Sequence, residues 1–392
     1  MRHFTGSIII VFIIGLLCSC SKDESVRDFE PVKRTVLVYM IASNNLGSYG
    51  YDREDLTEME FAISKHGTNG CRFLVYRVAN SEPVTLFEFI QNGNRVSRKV
   101  LKTYNRTIPS TSIKRMSDVF ADMVSLAPAN EYGLILWSHA SGWAVNLPKN
   151  RTALKSCNNG LIVRNFGMDG NAEMKLDELE LALPSDLFDF VYADVCYMGA
   201  VEVAYQLRNK IDYLLASPTV TMGEGMPYHI NVPEFCADVI DYKKICENTF
   251  RYYNAKSGQG QSCTISLTDC RKLESLAAVC REVYSLTPEI DDISGIQKYV
   301  TPSDEVCIFY DFGQYIKERL KQLENNTALL NEFDRALNDA VLYKQSTSDI
   351  YKELLISKNN YSGLSVYIEG TGGKNNDDYY HTIDWYKATR KF

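Results

Sequence analysis

A histidine and a cysteine, His139 and Cys196, each follow an apolar run of strand length in this 392-residue chain. Residues 132–137 precede the histidine, and residues 188–195 end directly before the cysteine. A thiolate can attack a carbonyl carbon while an imidazole accepts and returns the proton, so this pair of residue types suits nucleophilic catalysis. Since open α/β sheets carry their sites beyond the carboxyl ends of strands, the two side chains would share one rim if these strands are neighbours.

Each of these residues also has an ordinary structural interpretation. A single cysteine after a strand is usually an inert core residue, and a single histidine there usually makes a structural hydrogen bond. Residues 199–208 predict a helix after Cys196, whose first-turn N–H groups would stabilise a thiolate. The joint placement of His139 and Cys196 at two strand ends favours a catalytic pair over two unrelated core residues.

The elements that must position this pair alternate between strands and helices. Runs of apolar and β-branched residues predict strands at 35–42, 71–78, 84–90, 132–137, 188–195, 213–216, 262–267 and 363–368. Apolar residues at helical spacing predict helices at 52–65, 112–127 (capped by Ser110 or Thr111), 199–208, 233–253, 270–286, 310–323 and 328–343. Strands that are apolar throughout are typical of a sheet covered by helices on both faces. We therefore predict one α/β domain with a mostly parallel central sheet and a more helical C-terminal portion.

One long polar stretch, residues 144–171, interrupts this pattern and has little periodicity. Loops of this length inside a compact domain are usually functional or mobile. Its basic residues are Lys149, Arg151, Lys155 and Arg164.

The composition and net charge are those of a folded protein and do not favour binding to nucleic acid. Apolar residues make up 45% of the chain and aromatic residues 11%, which excludes a disordered or fibrous chain. The formal net charge is −7 and no extended basic block is present, whereas a protein that binds a nucleic-acid backbone normally has the opposite balance. We therefore expect no nucleic-acid partner.

The N-terminus resembles the signal peptide of a bacterial lipoprotein. Residues 7–17 form an apolar run after Arg2 that is too short to span a bilayer. Residues 17–20 resemble a lipobox, which implies that Cys20 is lipidated, and residues 21–24 resemble the acidic export signal of Bacteroidetes surface lipoproteins. We expect a signal peptide at 1–19, a surface tether at 20–33, a catalytic core at 34–230 and a portion at 231–392 that completes the same domain. The alternative is an ordinary secretory peptide cleaved at another small residue.

The other cysteines and histidines do not have the spacing of a metal site. There is no Cys-x-x-Cys, no HExxH and no paired histidine spacing, which argues against zinc. Nine cysteines follow Cys20, an odd number, so complete pairing would still leave one free thiol. We expect most of them to be buried, unpaired core residues.

Several segments, taken in order, resemble the clostripain family of cysteine peptidases, relatives of caspases, gingipains and legumains. Residues 35–46 resemble the family's first strand and its Asn-Asn-Leu turn. Residues 134–143 resemble its strand and His-Gly-Ser-Gly-Trp block, and residues 194–205 resemble its Asp-Ala-Cys-Leu-Met-Gly block. Residues 223–228 resemble its Gly-Asp-Gly-Trp-Pro-Tyr turn, and a weaker similarity lies at 363–367. The resemblance implies a caspase-like α/β sandwich.

The resemblance also implies roles for individual residues. His139 would be the catalytic base and Cys196 the nucleophile, and the N–H groups of Ala140 and Cys196 would bind the oxyanion. Asp194 would lie at the floor of the pocket for the P1 side chain, with Glu224 as a second acid, and a buried carboxylate suits the guanidinium or ammonium of Arg or Lys. The structural alternatives are a strand-end cap for Asp194 and a solvated turn for Glu224.

Three positions depart from the family pattern. Ser43 and Ser138 stand where the family has aspartate, and Ala140 replaces a glycine. The Ala140 side chain would introduce strain if that position requires a positive φ. These departures leave open a weak or inactive family member.

The sequence therefore predicts an exported lipoprotein, at the outer membrane or cell surface of a Bacteroidetes-like bacterium, that cleaves protein or peptide substrates after Arg or Lys through a thioester. The resemblance implies self-cleavage in the 144–171 loop after Lys149, Arg151, Lys155 or Arg164. The resemblance implies an enzyme that requires no cofactor and that can respond to calcium. The spacing of residues does not assign calcium ligands. The alternatives are an inactive homologue that serves as a surface binding lipoprotein, and a scaffold in which the motifs are coincidental.

Overall fold

A nine-stranded sheet runs through the centre of the protein in the computed structural model, which describes residues 31–145, 165–300 and 308–390. The strands, in chain order, are β1 (Val32–Ala42), β2 (Arg72–Ala79), β3 (Val84–Asn92), β4 (Arg95–Tyr104), β5 (Ala129–Trp137), β6 (Phe166–Asp169), β7 (Ala172–Met174), β8 (Phe188–Asp194), β9 (Ile211–Ala216), β10 (Thr264–Asp269), β11 (Tyr310–Asp311), β12 (Val341–Ser346), β13 (Asp349–Ile350), β14 (Leu354–Leu355) and β15 (Ser365–Val366).

Twelve α-helices lie between the described strands or follow them. They are α1 (Asn45–Tyr49), α2 (Tyr51–His66), α3 (Ile113–Leu126), α4 (Leu176–Ala182), α5 (Val201–Leu207), α6 (Tyr228–Phe235), α7 (Tyr242–Asn254), α8 (Leu273–Leu286), α9 (Phe312–Leu320), α10 (Thr327–Ala340), α11 (Lys374–Tyr380) and α12 (Asp384–Arg390). None of the helices in this part of the chain is long and apolar enough to cross a membrane.

The order of strands in the sheet is β12-β10-β9-β8-β5-β1-β2-β3-β4. Neighbours from β9 to β2 pair in parallel, and the pairs outside them are antiparallel on both sides. The predicted α/β fold with a mostly parallel central sheet flanked by helices is thus confirmed. Contacts group Pro31–Phe392 into one compact unit.

Alternation of side chains along the central strands produces two hydrophobic cores, one on each face of the sheet. On β1, Leu37 and Tyr39 belong to the first core, and Val38 and Met40 belong to the second. Residues of α3, α5 and α8 pack in the first core, whereas residues of α2, α6 and α7 pack in the second. Because both faces are covered, the strands are apolar throughout, as the sequence indicated.

Several element boundaries differ from the sequence-based expectations. The single helix expected at 233–253 is two helices, α6 and α7, and the side chain of Asp241 caps the second by accepting from the Lys244 N–H. The helix expected at 328–343 ends at Ala340, and the chain continues as the edge strand β12. Ser112, rather than Ser110 or Thr111, caps α3. Part of the expected 144–171 loop is the β6–β7 hairpin, and residues 146–164 lie outside the described ranges.

The described cysteines are buried thiols with no disulfide among them. They are Cys71, Cys196, Cys236, Cys246, Cys263, Cys270 and Cys280. Cys20, Cys157 and Cys307 lie outside the described residues.

Candidate active site

The carboxyl ends of β5 and β8 meet at one rim of the sheet. These strands are parallel neighbours, and their register places Trp137 directly opposite Asp194. His139 and Cys196 each follow two residues later. Both residues line one cleft together with Leu46, Trp137, Ser138, Asp194, Thr221, Met222, Gly223 and Gly225.

His139 is oriented by a side chain from a different element. Its Nε2 lies 2.5 Å from Oδ1 of Asn45, the first residue of α1, and the imidazole is 3% exposed. Asn44, which precedes it, caps α1 by accepting from the Leu46 N–H. When the Asn45 carbonyl oxygen accepts from Nε2–H, Nδ1 is the nitrogen that can take up a proton. The sequence marked the Asn-Asn-Leu turn but gave Asn45 no role.

The two serine departures carry structural hydrogen bonds. The Ser138 hydroxyl donates to the Ile41 carbonyl at 3.0 Å and accepts from the Met168 N–H at 3.2 Å. The Ser43 hydroxyl donates to the carboxylate of Asp169 on β6. Ser138 therefore fixes the turn before His139 to β6, and Ser43 fixes the turn after β1 to the same strand.

Ala140 fits its position without the strain that a positive φ would cause. It does not belong to the residues with positive φ, and it forms an isolated bridge with Phe166. The bonds of that bridge use the N–H groups of Ser141 and Gly167, not that of Ala140. The positive φ in this block, +66°, falls on Gly142, where a Cβ would lie 2.7 Å from the Tyr197 carbonyl oxygen. Because glycine has no Cβ, the turn after His139 can contact the turn after Cys196.

Cys196 lies in a strained turn and faces the backbone of another loop. Cys196 is 7% exposed. Its Sγ accepts a hydrogen bond from the Thr221 N–H at 3.4 Å and lies 3.6 Å from Oγ1 of Thr221. The next residue, Tyr197, has φ of +61°, a conformation that costs a non-glycine residue about 1–3 kcal/mol and clusters at functional sites. The helix expected to begin at Gly199 begins at Val201. The N–H group that donates to the sulfur belongs to Thr221.

Asp194 is a buried carboxylate that accepts two hydrogen bonds. Its Oδ2 accepts from the Met226 N–H at 3.0 Å and from the Tyr228 hydroxyl at 2.9 Å. Burial raises the pKa of Asp194 to about 6, although these two bonds act in the opposite direction. Asp194 thus lines the cleft as an acid that is ionised at neutral pH.

A second acid, Asp55 of α2, lies beside Asp194 and was missed from the sequence. Its Oδ2 accepts from the Trp137 indole N–H at 2.6 Å. Burial and the charge of Asp194 raise the pKa of Asp55 well above its ordinary value. A Cβ on Gly225 would lie 2.9 Å from Oδ2 of Asp194 and 3.1 Å from Oδ2 of Asp55, so both carboxylates meet at this glycine. The available signal was an acid on the apolar stripe of α2, one residue before the buried Leu56.

Glu224 lies between two glycines of the cleft, Gly223 and Gly225, but points elsewhere. Its carboxylate forms an ion pair with Lys256, and its side chain is 44% exposed. The remaining predicted positions, Cys20, Lys149, Arg151, Lys155 and Arg164, lie outside the described residues. Within the described ranges, no group of three or more His, Cys, Asp or Glu side chains is arranged to hold a metal ion.

Comparisons with known proteins found one matching family and several similar solved structures. A model of the clostripain family matches residues 38–391. An inactive zymogen of a C11 protease from Parabacteroides distasonis is 28% identical, with a TM-score of 0.77 over 92% of this chain and 99% of that one. A secreted C11 cysteine protease from Bacteroides thetaiotaomicron, solved with an irreversible peptide inhibitor, is 28% identical, with a TM-score of 0.76 over 91% of this chain and 99% of that one. A comparison with curated proteins gave no match.

Proposed function

This chain belongs to the clostripain family of cysteine proteases, and we propose that Cys196 and His139 are its catalytic dyad. The observation that carries this proposal is the parallel pairing of β5 with β8, beyond whose ends both residues line one cleft. The sulfur and the imidazole are the groups that thiol catalysis requires, and each comes from a turn that the rigid sheet supports.

In the proposed reaction, the Cys196 sulfur attacks the carbonyl carbon of the scissile peptide bond. His139 takes the thiol proton and delivers it to the leaving amine, so that a thioester remains on the enzyme. Water, deprotonated by the same imidazole, then breaks the thioester and regenerates the thiol. The N–H groups of Ala140 and Cys196 are proposed as the oxyanion donors, each typically contributing ~2.7–4 kcal/mol to such a step.

We propose that the P1 side chain is arginine or lysine and that Asp194 binds it. Asp194 lines the cleft two residues before the nucleophile, and a buried carboxylate there favours a cation over a neutral side chain. Glu224 is proposed as a second acid at the edge of this pocket, where a basic substrate would replace its partner Lys256.

A peptide library digested with the purified protein tests both statements. We expect cleavage almost exclusively after Arg and Lys, and none by Cys196→Ala. Cleavage after other residues would refute the role of Asp194. Absence of cleavage by the processed wild-type protein would favour an inactive homologue that binds ligands at the cell surface.

We further propose that the protease cleaves itself after Lys149, Arg151, Lys155 or Arg164. The similar protein from Parabacteroides distasonis is an inactive zymogen, which supports activation by cleavage in this group of proteins. The wild-type protein should separate into two chains on a denaturing gel, whereas Cys196→Ala should remain one chain. Replacement of all four basic residues by glutamine should also give one chain, and processing that persists in Cys196→Ala would exclude self-cleavage.

We propose that the protein is exported and anchored to the outer membrane or cell surface through a lipid on Cys20. The similar protein from Bacteroides thetaiotaomicron is secreted, which supports export. Radiolabelled palmitate should label the wild-type protein and not Cys20→Ala, and equal labelling of both would exclude this anchor.

The steps of the proposed reaction use only protein groups and water. A response to calcium is tested by comparing the activity in EGTA with and without added calcium.

A further inference from the structure

The loop Thr221–Met226 connects the nucleophile to the P1 acid. At its first residue, the Thr221 N–H donates to Sγ of Cys196 at 3.4 Å. At its last residue, the Met226 N–H donates to Oδ2 of Asp194 at 3.0 Å. The position of this one loop therefore sets hydrogen bonds both to the reacting sulfur and to the carboxylate that binds the substrate side chain.

Two tyrosine hydroxyls hold carbonyl groups near the opposite ends of the same loop. The Tyr351 hydroxyl donates to the Thr221 carbonyl at 3.1 Å. The Tyr253 hydroxyl donates to the carbonyl of Gly225, next to Met226. Tyr253 belongs to α7, and Tyr351 lies in the turn between β13 and β14. The two residues are 7% exposed or less.

The backbone around Tyr351 is adapted to present this hydroxyl. Tyr351 and Lys352 have φ of +56° and +62°, although hairpin turns with two positive φ values usually contain Asn and Gly. The Tyr351 N–H donates to Oγ of Ser262 at 2.7 Å, which fixes the turn to the start of β10. A strained conformation is retained where surrounding structure enforces it, often at functional sites.

We propose that Tyr351 and Tyr253 are positioning residues, in which Tyr351 holds the Thr221 end of the loop against the nucleophile and Tyr253 holds the Gly225 end against the P1 acid. This inference rests on the proposed function, because it assigns the two ends of one loop to turnover and to P1 binding.

The first variant, Tyr351→Phe, should weaken the thiol end alone. Loss of one buried hydrogen bond corresponds to about a 2- to 12-fold change. We expect the rate at which iodoacetamide alkylates Cys196, read from the mass of its proteolytic peptide, to decrease by this factor. The pH at which that rate is half-maximal should rise. The kcat should fall with the alkylation rate, while KM for a peptide with arginine at P1 stays unchanged.

The second variant, Tyr253→Phe, should weaken the acid end alone. We expect KM for the same peptide to rise about 2- to 12-fold, with the alkylation rate of Cys196 unchanged. A matched control is Tyr361→Phe, which removes another buried hydroxyl, bonded to the Ile265 carbonyl, and should change neither quantity.

The proposal is overturned if the two variants change the same parameter, if neither differs from Tyr361→Phe, or if their effects are exchanged. If Tyr351→Phe fails to fold, Ser262→Ala replaces it, because it loosens the same turn without touching the loop. If the wild-type protein neither binds nor cleaves peptides with basic P1 residues, the proposed function fails. The alkylation measurement still decides the role of Tyr351 in that case.

Discussion

The proposed catalytic pair and Asp194 lie at the ends of the same two strands, β5 and β8, but are held in different ways. His139 and Cys196 follow the strands by two residues and lie in turns, and the sulfur has a backbone donor at 3.4 Å. Asp194 is the last residue of β8 and has two donors at 2.9 and 3.0 Å. Asp55 on α2 lies beside Asp194 and accepts a hydrogen bond from the Trp137 indole N–H. We call Asn45, His139 and Cys196 the upper region, and Asp55 and Asp194 the lower region. We propose that the upper region carries out turnover and that the lower region selects the substrate side chain.

This difference predicts that substitutions should separate turnover from substrate choice. Changes in the lower region should alter binding of the P1 side chain, and changes in the upper region should alter kcat.

The largest expected effect is in the lower region, for Asp194→Asn. Removing a buried charge that pairs with the substrate cation should lower kcat/KM for arginine substrates about 100-fold or more. Alkylation of Cys196 by iodoacetamide should change little, because the thiol is held by Thr221. An unchanged preference for arginine over norleucine at P1 would break the distinction between the two regions.

In the upper region, Asn45→Ala should lower kcat about 10- to 100-fold with little change in KM. The imidazole would lose the acceptor that selects its Nε2–H form, and general acid–base catalysis depends on that orientation. Asn45→Asp retains an acceptor oxygen and should recover most of the activity. Steady-state kinetics that show a KM effect instead would place Asn45 in substrate binding.

The contact between the histidine and cysteine blocks is tested by Gly142→Ala. The new Cβ would meet the Tyr197 carbonyl at 2.7 Å, in addition to about 1–2 kcal/mol for an L-residue at positive φ. Gly170→Ala is the matched control, because Gly170 has φ of +63° but no atom within 4 Å of the added Cβ. Thermal unfolding should show the larger loss of stability for Gly142→Ala, and only this variant should lose activity.

The smallest effect at neutral pH is expected for Asp55→Asn. Because burial and the neighbouring charge raise the pKa of Asp55, Asp194 should lose its proton first as the pH rises, near pH 6. Affinity of an arginine-terminated peptide for Cys196→Ala, measured by calorimetry, should therefore fall as the pH drops below about 6. It should rise a second time at higher pH when Asp55 ionises.

In the same background, Asp55→Asn should retain the first step and lack the second. Glu54→Gln, on the same helix but exposed to solvent, should keep both steps. A peptide affinity that does not depend on pH between 5 and 8 would contradict the assignment of a titrating acid to this pocket.

The sequence allowed much of the fold and the upper region to be predicted, for physical reasons. Strands covered on both faces are apolar throughout, so β1, β5 and β8 and the residues after them could be located from local composition. The lower region depends on contacts between distant segments. Asp55 meets Asp194 only because α2 packs across the sheet, and a single acid on a helix does not indicate its partner.

Some local features also could not be predicted from the sequence pattern. The expected helix at 233–253 is interrupted because Asp241 starts a new helix with its own cap, although the apolar spacing continues across the break. The Tyr351 turn lacks the glycine that normally marks positive φ, so its contact with Thr221 was not predicted.

Covalent labelling with a peptide chloromethyl ketone that has arginine at P1, followed by intact mass and peptide mapping, tests the paired roles of Cys196 and His139. We expect a single adduct on Cys196, formed much more slowly in His139→Ala and in Asp194→Asn, and no adduct on Cys196→Ala. Labelling at another residue, or equal rates in wild type and His139→Ala, would contradict the claim that these two side chains act on one bound substrate.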